Sequence, residues 1–155
     1  KPVTYEHLEK PLVDYSFADN CWEWLDKMRE LCEKHGTELV LVKAPSLSPV
    51  WWDQWDQQIE EYAAKYDLTY WNFLDYQEEI GIDWNTDTYD TGLHLNVYGA
   101  EKMSSFFGQL LVDTFGLEDR REDAELNAVW AEKVETYNER KATLEAQTAS
   151  ETKGE

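Results

Sequence analysis

The spacing of apolar and polar residues predicts helices that alternate with short strands. Over residues 20–35, apolar side chains return every third or fourth position, which is typical of an amphipathic helix. Asp19 or Asn20 is suited to cap its first turn, and Gly36 is suited to end it. The stripe that this helix is predicted to bury consists of Cys21, Leu25, Met28 and Cys32.

Two apolar runs on either side of a second helix predict a parallel pair of strands. Residues 37–43 and 68–73 are short, rich in strand-forming side chains and bounded by turn residues, as buried parallel strands are. The helix between them starts either at Ser48, with Pro49 in its first turn, or later, near Asp53. Its predicted inner face is Trp55, Ile59, Tyr62, Ala63 and Tyr66. Together these segments form a βαβ unit, whose crossover is right-handed.

Three further helices are predicted after the second strand. A short acidic helix ends near Ile80, and a longer one runs over 97–115 between an Asn96 cap and a Gly116 stop. The predicted inward residues of the longer helix are Met103, Phe106, Phe107, Leu110 and Leu111. A charged helix over 119–147 is expected to dock across the domain edge through a thin apolar stripe: Leu126, Val129, Trp130, Val134, Tyr137 and Leu144.

The two ends of the chain are predicted to lack regular structure. Prolines interrupt residues 1–19, which form an irregular arm with apolar side chains that can pack along a surface, and residues 148–155 form a disordered tail. Two strands are few for an α/β domain, and the chain begins at Lys1 rather than at Met. We therefore expect a sheet edge to be covered by the arm, by another chain through self-association, or by a missing N-terminal segment.

The net charge narrows the classes of binding partner. The formal net charge of −19 argues against nucleic acid and anionic membranes, which repel an acidic protein. No apolar run is long enough to span a membrane.

Cys21 and Cys32 are roughly 16 Å apart along one predicted helix. A disulfide requires Cα atoms within about 7 Å, so both are expected to be core thiols.

The residues best suited to chemistry lie between Thr86 and Ala100. Within this segment His94 follows Asp90 and Asp87, and either carboxylate could be its partner. A histidine oriented by a carboxylate can take a proton from a nucleophile. The alternative is a hydrogen-bonded pair that only pins the loop.

The order of elements, together with Gly92-Leu93-His94-Leu95-Asn96 and Gly99-Ala100, resembles the C-terminal half of SGNH (GDSL-like) hydrolases. The resemblance implies a three-layer, flavodoxin-like α/β fold with a parallel sheet, present only in part as residues 20–118, and a helical extension over 119–147 like that of bacterial members. It implies a serine esterase or O-acyltransferase without metal or organic cofactor. Its substrate would be an acylated small molecule or glycan, and its location extracellular or at the cell surface.

By this resemblance, His94 is the general base and Asp90 its orienting carboxylate, although the family's usual acid position, three before the histidine, is Thr91. The family's Gly-Asp-Ser nucleophile block is absent here and is expected upstream, so the chain alone is expected to be inactive. Ser46 and Ser48 are interpreted as loop and cap residues. The residues expected to line the pocket are Ser46, Asn96, Trp51 and Trp84.

Two alternatives belong to other classes of function. The tryptophans near the strand ends also suit a noncatalytic glycan-binding or assembly module, since aromatic faces pack on sugar rings. Residues 83–87 reproduce the D-x-N-x-D opening of a calcium loop. However, Thr88 replaces its glycine and His94 its bidentate glutamate, so no metal is expected.

Overall fold

The computed structural model describes residues 10–151, with side chains as far as residue 147. Helices and two strands alternate over the first part of this range, and only helices follow the second strand. Their order is α1 (Asp19–His35), β1 (Val40–Lys43), α2 (Asp53–Tyr66), β2 (Thr69–Asn72), α3 (Gln77–Ile80), α4 (Val97–Phe115) and α5 (Ala124–Glu151). The protein is therefore of the mixed α/β kind that the sequence predicts.

The strands β1 and β2 form a two-stranded parallel sheet. Val40 lies opposite Thr69 and Lys43 opposite Asn72, and the Phe73 N–H donates to the Lys43 carbonyl at 2.9 Å beyond the last pair. Helix α2 connects the strands, which confirms the predicted βαβ unit, and it begins at Asp53, the later of the two predicted starts. The buried apolar residues are Tyr62, Ala63, Trp71, Phe73 and Ile80.

Strand β1 is parallel as predicted, but it is less buried than predicted. The side chain of Val42 is 49% exposed. Within residues 10–151, β1 pairs with β2 on one side and with no strand on the other. The main-chain groups of Lys43 face β2, so those of its neighbour Val42 face the unpaired edge. The position beside β1 is therefore open in the described part of the chain.

The buried face of α1 differs from the prediction. Cys21 is exposed and Met28 is 50% exposed, so Cys21 is not a core thiol. The helix turns a different side inward because Trp22 stacks on Tyr62 of α2, with ring centroids 5.3 Å apart. The Tyr62 hydroxyl also donates to Asp26 at 2.8 Å. Gly36 ends α1 in the left-handed conformation, as predicted, but Ala18 rather than Asp19 or Asn20 occupies the N-cap position.

The N-terminal arm is held to α2 by hydrogen bonds and by a ring contact of Tyr15. The Phe17 N–H donates to the Gln58 side chain at 3.0 Å, and the Gln58 amide donates to the Tyr15 carbonyl at 2.9 Å. Leu12 and Val13 are exposed, so this part of the arm does not pack as predicted. Residues 1–9 of the predicted arm lie outside the described residues.

Helix α4 agrees closely with the sequence prediction, and helix α5 agrees less closely. Helix α4 has the predicted bounds, with Gly116 directly after its last residue, and its five predicted inward residues are half-buried. Helix α5 begins at Ala124 instead of 119, because Asp123 caps it by accepting from the N–H groups of Glu125 and Leu126 at 3.1 Å. It continues to Glu151, through half of the predicted tail; residues 152–155 lie outside the described residues.

The contacts divide the chain into two compact units, residues up to Met103 and residues from Ser104 onward. In the second unit the predicted α5 stripe is exposed along most of its length, and Val129, Trp130 and Val134 are each more than half exposed. No helix within residues 10–151 has both the length and the apolar content that a membrane crossing requires.

Candidate functional site

The candidate site is a loop that joins α3 to α4. A single antiparallel bridge between Thr88 and Leu95 closes the loop at its base. Asn96 follows as the predicted cap of α4, and its side-chain oxygen accepts from the N–H groups of Tyr98 and Gly99 at 3.0 and 3.2 Å. The other end of the same amide donates to the Thr86 carbonyl at 2.6 Å. The Asn96 side chain therefore joins the start of α4 to the base of the loop.

The tip of the loop turns through two residues in the left-handed conformation, Thr91 with φ of 60° and Gly92 with φ of 91°. Gly92 is buried, and its carbonyl accepts from the N–H groups of Leu47 and Ser48 at 2.7 and 3.3 Å. A Cβ at Gly92 would lie 3.2 Å from the Cβ of Leu47. Glycine thus permits both the positive φ and the close approach to the loop that follows β1.

This turn brings Asp90 and His94 together. The His94 Nδ1 lies 2.5 Å from one Asp90 oxygen, and the His94 main-chain N–H donates to the other at 2.7 Å. The imidazole is 58% exposed and stacks almost parallel to the Tyr89 ring at 5.6 Å. Its Nε2 contacts no hydrogen-bonding group of residues 10–147, so the nitrogen opposite the carboxylate is open to a ligand.

The electrostatics of the pair favour an ionised carboxylate. Partial desolvation raises the pKa of Asp90, but the hydrogen bonds from the His94 ring and main chain lower it by more. The pKa of the carboxyl therefore lies below its usual value. An ionised Asp90 favours the tautomer that carries the imidazole proton on Nδ1, in which Nε2 is the acceptor.

Asp87 is occupied by a different partner. Its side chain is buried, and one carboxylate oxygen accepts from Lys102 Nζ at 2.6 Å and from the Asp83 N–H at 2.8 Å. Its carbonyl accepts from the Asn96 N–H at 2.8 Å. Of the two carboxylates that the sequence left open, Asp90 therefore pairs with His94, and Asp87 anchors the loop base to α4.

The other predicted pocket residues have partners within the chain. Ser46, in the loop after β1, accepts from Lys43 Nζ at 2.9 Å. The indole N–H groups of Trp51 and Trp84 donate to Asp56 and Gln77, each at 2.9 Å. Both indoles are half-buried. The amide of Asn96 is used entirely in capping α4 and closing the loop.

Asp56 is a polar centre that sequence reasoning missed. One of its oxygens accepts from Trp51, from the Tyr70 hydroxyl at 2.6 Å and from Asn72 at 3.2 Å. Burial and then the bond to Asp56 raise the pKa of Tyr70 well above its usual value. A carboxylate in the first turn of α2 and polar residues at the end of β2 are the sequence signal for this network, because both lie at the carboxyl end of the sheet.

The acidic segment at 83–87 is folded on itself. Asp83 accepts from the main chain and side chain of Asn85, and Asp87 is paired with Lys102. Among the described residues, no group of three or more His, Cys, Asp or Glu side chains converges on a point that could hold a metal ion.

Comparison with known proteins adds no assignment: no protein family, no curated protein and no solved structure matches this chain.

Proposed function

We propose that this chain supplies the His–Asp half of the catalytic site of an SGNH-type esterase or acyltransferase, with its serine nucleophile in a segment outside these 155 residues. The single observation that carries the proposal is the Asp90–His94 pair, joined at 2.5 Å with Nε2 free of hydrogen-bonding groups in the described residues. The Gly92-Leu93-His94-Leu95-Asn96 motif supplies the family resemblance.

The chemistry follows from the positions of the two nitrogens. A serine hydroxyl that reaches Nε2 gives up its proton to the imidazole as its oxygen attacks the acyl carbonyl. The Nδ1–H, bonded to Asp90, keeps the ring in orientation, and the carboxylate stabilises the imidazolium that forms. The same Nε2–H then protonates the leaving alcohol. None of these steps requires a metal or an organic cofactor.

The unusual spacing of Asp90 and His94 is compatible with this role. Four positions separate them instead of the family's three, and the additional residue is taken up where Thr91 and Gly92 both adopt positive φ. The turn shortens the path between the two side chains.

The handedness of βαβ units supports one part of the proposed three-layer fold, a parallel sheet that extends beyond β1. Helices α1 and α2 lie side by side on one face, since Trp22 stacks on Tyr62 and since Leu25 and Ile59 line one cavity with Leu41 of β1. A strand that precedes α1 and connects through it by a right-handed crossover would lie on the side of β1 away from β2. That is the edge with no partner among residues 10–151.

The test is an esterase assay on the longer parent protein that the proposal requires. His94→Ala should lower kcat by a factor of about 10³ or more, and Asp90→Asn by a similar factor, because the ring loses its orienting partner. His35→Ala is the matched control, since His35 lies exposed at the end of α1. Equal rates for the wild type and His94→Ala would contradict the proposal.

A further inference from the structure

The loop after β1 holds a serine and a lysine in direct contact. Lys43 is the last residue of β1, and its Nζ lies 2.9 Å from Ser46 Oγ and 2.6 Å from the Ala44 carbonyl oxygen. A neutral amine has two N–H donors and one lone pair. In the charged form Nζ donates to both oxygens, whereas after losing a proton it can donate to the Ala44 carbonyl and accept the hydroxyl proton of Ser46.

The surroundings of Lys43 favour loss of its proton more than those of an exposed lysine do. Its side chain is half-buried, and this burial lowers its pKa, against the opposing effect of the Asp56 carboxylate. The Trp51 ring lies 5.5 Å from Nζ and, like Asp56, favours the charged form.

An apolar cavity adjoins Lys43, the proposed base of the pair. It has a volume of about 190 Å³ and is bounded by Lys43 together with side chains from both strands and from α1 and α2. The remaining lining residues are Leu25, Leu41, Val42, Trp51, Ile59 and Tyr70. A space of this size and composition suits a short acyl chain or one aromatic ring rather than a large polar ligand.

We propose that Ser46 and Lys43 form a second nucleophilic pair, separate from His94, that reacts with esters of small apolar acyl groups held in this cavity. The proposal goes beyond the His94 function, because both its nucleophile and its base lie within these 155 residues.

The reaction balances without an additional reactant. As the Ser46 Oγ–C bond forms at the acyl carbon, the hydroxyl proton passes to Lys43 Nζ. The bond between the acyl carbon and the alcohol oxygen then breaks, and the Lys43 ammonium returns the proton to the leaving alcohol. Ser46 is left as an ester. Water then attacks the acyl carbon and gives a proton to Lys43, the bond from the acyl carbon to Ser46 Oγ breaks, and Lys43 returns the proton to Ser46.

The experiment treats the purified 155-residue chain with p-nitrophenyl butyrate and, separately, with a fluorophosphonate, and locates the label by peptide mass spectrometry. We expect a label on Ser46 that Ser46→Ala abolishes. Lys43→Arg should slow labelling by a factor of about 10² or more, because a guanidinium keeps the hydrogen bond and the charge but accepts no proton. Ser48→Ala is the matched control and should be labelled at the wild-type rate.

Three outcomes overturn the proposal. The first is a folded wild-type chain, verified by circular dichroism, that carries no label on Ser46. The second is a Lys43→Arg chain that is labelled as fast as the wild type, which would mean that Lys43 only stabilises the loop. The third is labelling that is lost in His94→Ala, which would assign the base to the His94 site instead.

Discussion

At the scale of single residues, Asp90 has two tasks. One carboxylate oxygen meets the imidazole of His94, and the other accepts from the main-chain N–H of the same residue. Ring orientation and loop conformation are therefore fixed by one group. Removing the carboxylate should disturb both, whereas removing the imidazole leaves the main-chain bond in place.

This arrangement predicts how the Asp90 carboxyl titrates. Its midpoint, followed by NMR, should lie below the ordinary aspartate value of about 3.9, because the bonds from His94 outweigh desolvation. His94→Ala should raise the midpoint toward that value. Asp14, whose pKa is lowered by its hydrogen bonds from Ser16, is the internal control and should titrate alike in both proteins.

The direction of the pKa shift of Asp90 sets the sign of its contribution to folding stability. A carboxyl whose pKa is lower in the folded state stabilises that state above its unfolded-state pKa, and this contribution is lost as the pH falls through the folded-state pKa. Unfolding curves of the wild type and Asp90→Asn should therefore converge in acid. A difference that grows toward low pH would contradict the assigned pairing.

The sequence predicted this pair only in part. The sequence indicates His94 and two possible carboxylate partners, Asp87 and Asp90. Asp87 is excluded because Lys102, fifteen positions further along the chain, binds its carboxylate. A sequence pattern gives no distance between such side chains. The Ser46–Lys43 contact is not predictable for the same reason, since nothing in the spacing shows that the lysine folds back on its own loop.

At the scale of elements, the start of α4 depends on a close approach. A Cβ at Gly99 would lie 2.5 Å from the Asp87 carbonyl oxygen, so the helix can contact the loop base only because this residue is glycine. The backbone of Asp87 is held in place by Asn96 and is not free to retreat.

Gly99→Ala should therefore lower the free energy of unfolding by about 2 kcal/mol, because the helix start and the loop base must move apart. Urea denaturation measures the change. Gly108→Ala, in the same helix, is the matched control, since nothing lies within 4 Å of its added Cβ. It should raise the stability by about 0.5–1 kcal/mol through helix propensity. Equal effects of the two substitutions would refute the close contact.

Helices and strands were predictable because their signals are local. The Asn96 cap and the Gly36 and Gly116 stops are found as predicted, and both predicted strands are present but shorter, as Val40–Lys43 and Thr69–Asn72. The buried face of α1 was not, because it is decided by contacts with Tyr62, at a position thirty-six residues after Asp26 in the chain. The late start of α5 shows that a local cap at Asp123 outweighs charge patterning.

At the scale of the whole molecule, the dominant property is charge. The 155 residues carry a formal charge of −19, and self-repulsion of this size opposes compact structure. The sheet does little to offset it, since only two strands pair in residues 10–151 and few side chains are fully buried.

Salt should therefore stabilise the protein. Raising NaCl from 10 mM to 0.3 M shortens the screening length from about 30 Å to below 10 Å, which weakens repulsion between distant carboxylates. We expect Tm to rise by roughly 2–4 °C, which corresponds to about 1 kcal/mol for a chain of this length. KCl at the same ionic strength should have the same effect. A fall in Tm would mean that attractive ion pairs outweigh the repulsion.

The hydrogen bonds of the Gly92 carbonyl to Leu47 and Ser48 have a consequence for ligands. Leu47 directly follows Ser46, and Gly92 lies two positions before His94, so one short bridge connects the two loops proposed to react. A molecule whose binding at one loop breaks or strengthens this bridge should change the affinity of a second molecule at the other loop. By thermodynamic reciprocity, the second molecule then changes the affinity of the first by the same factor.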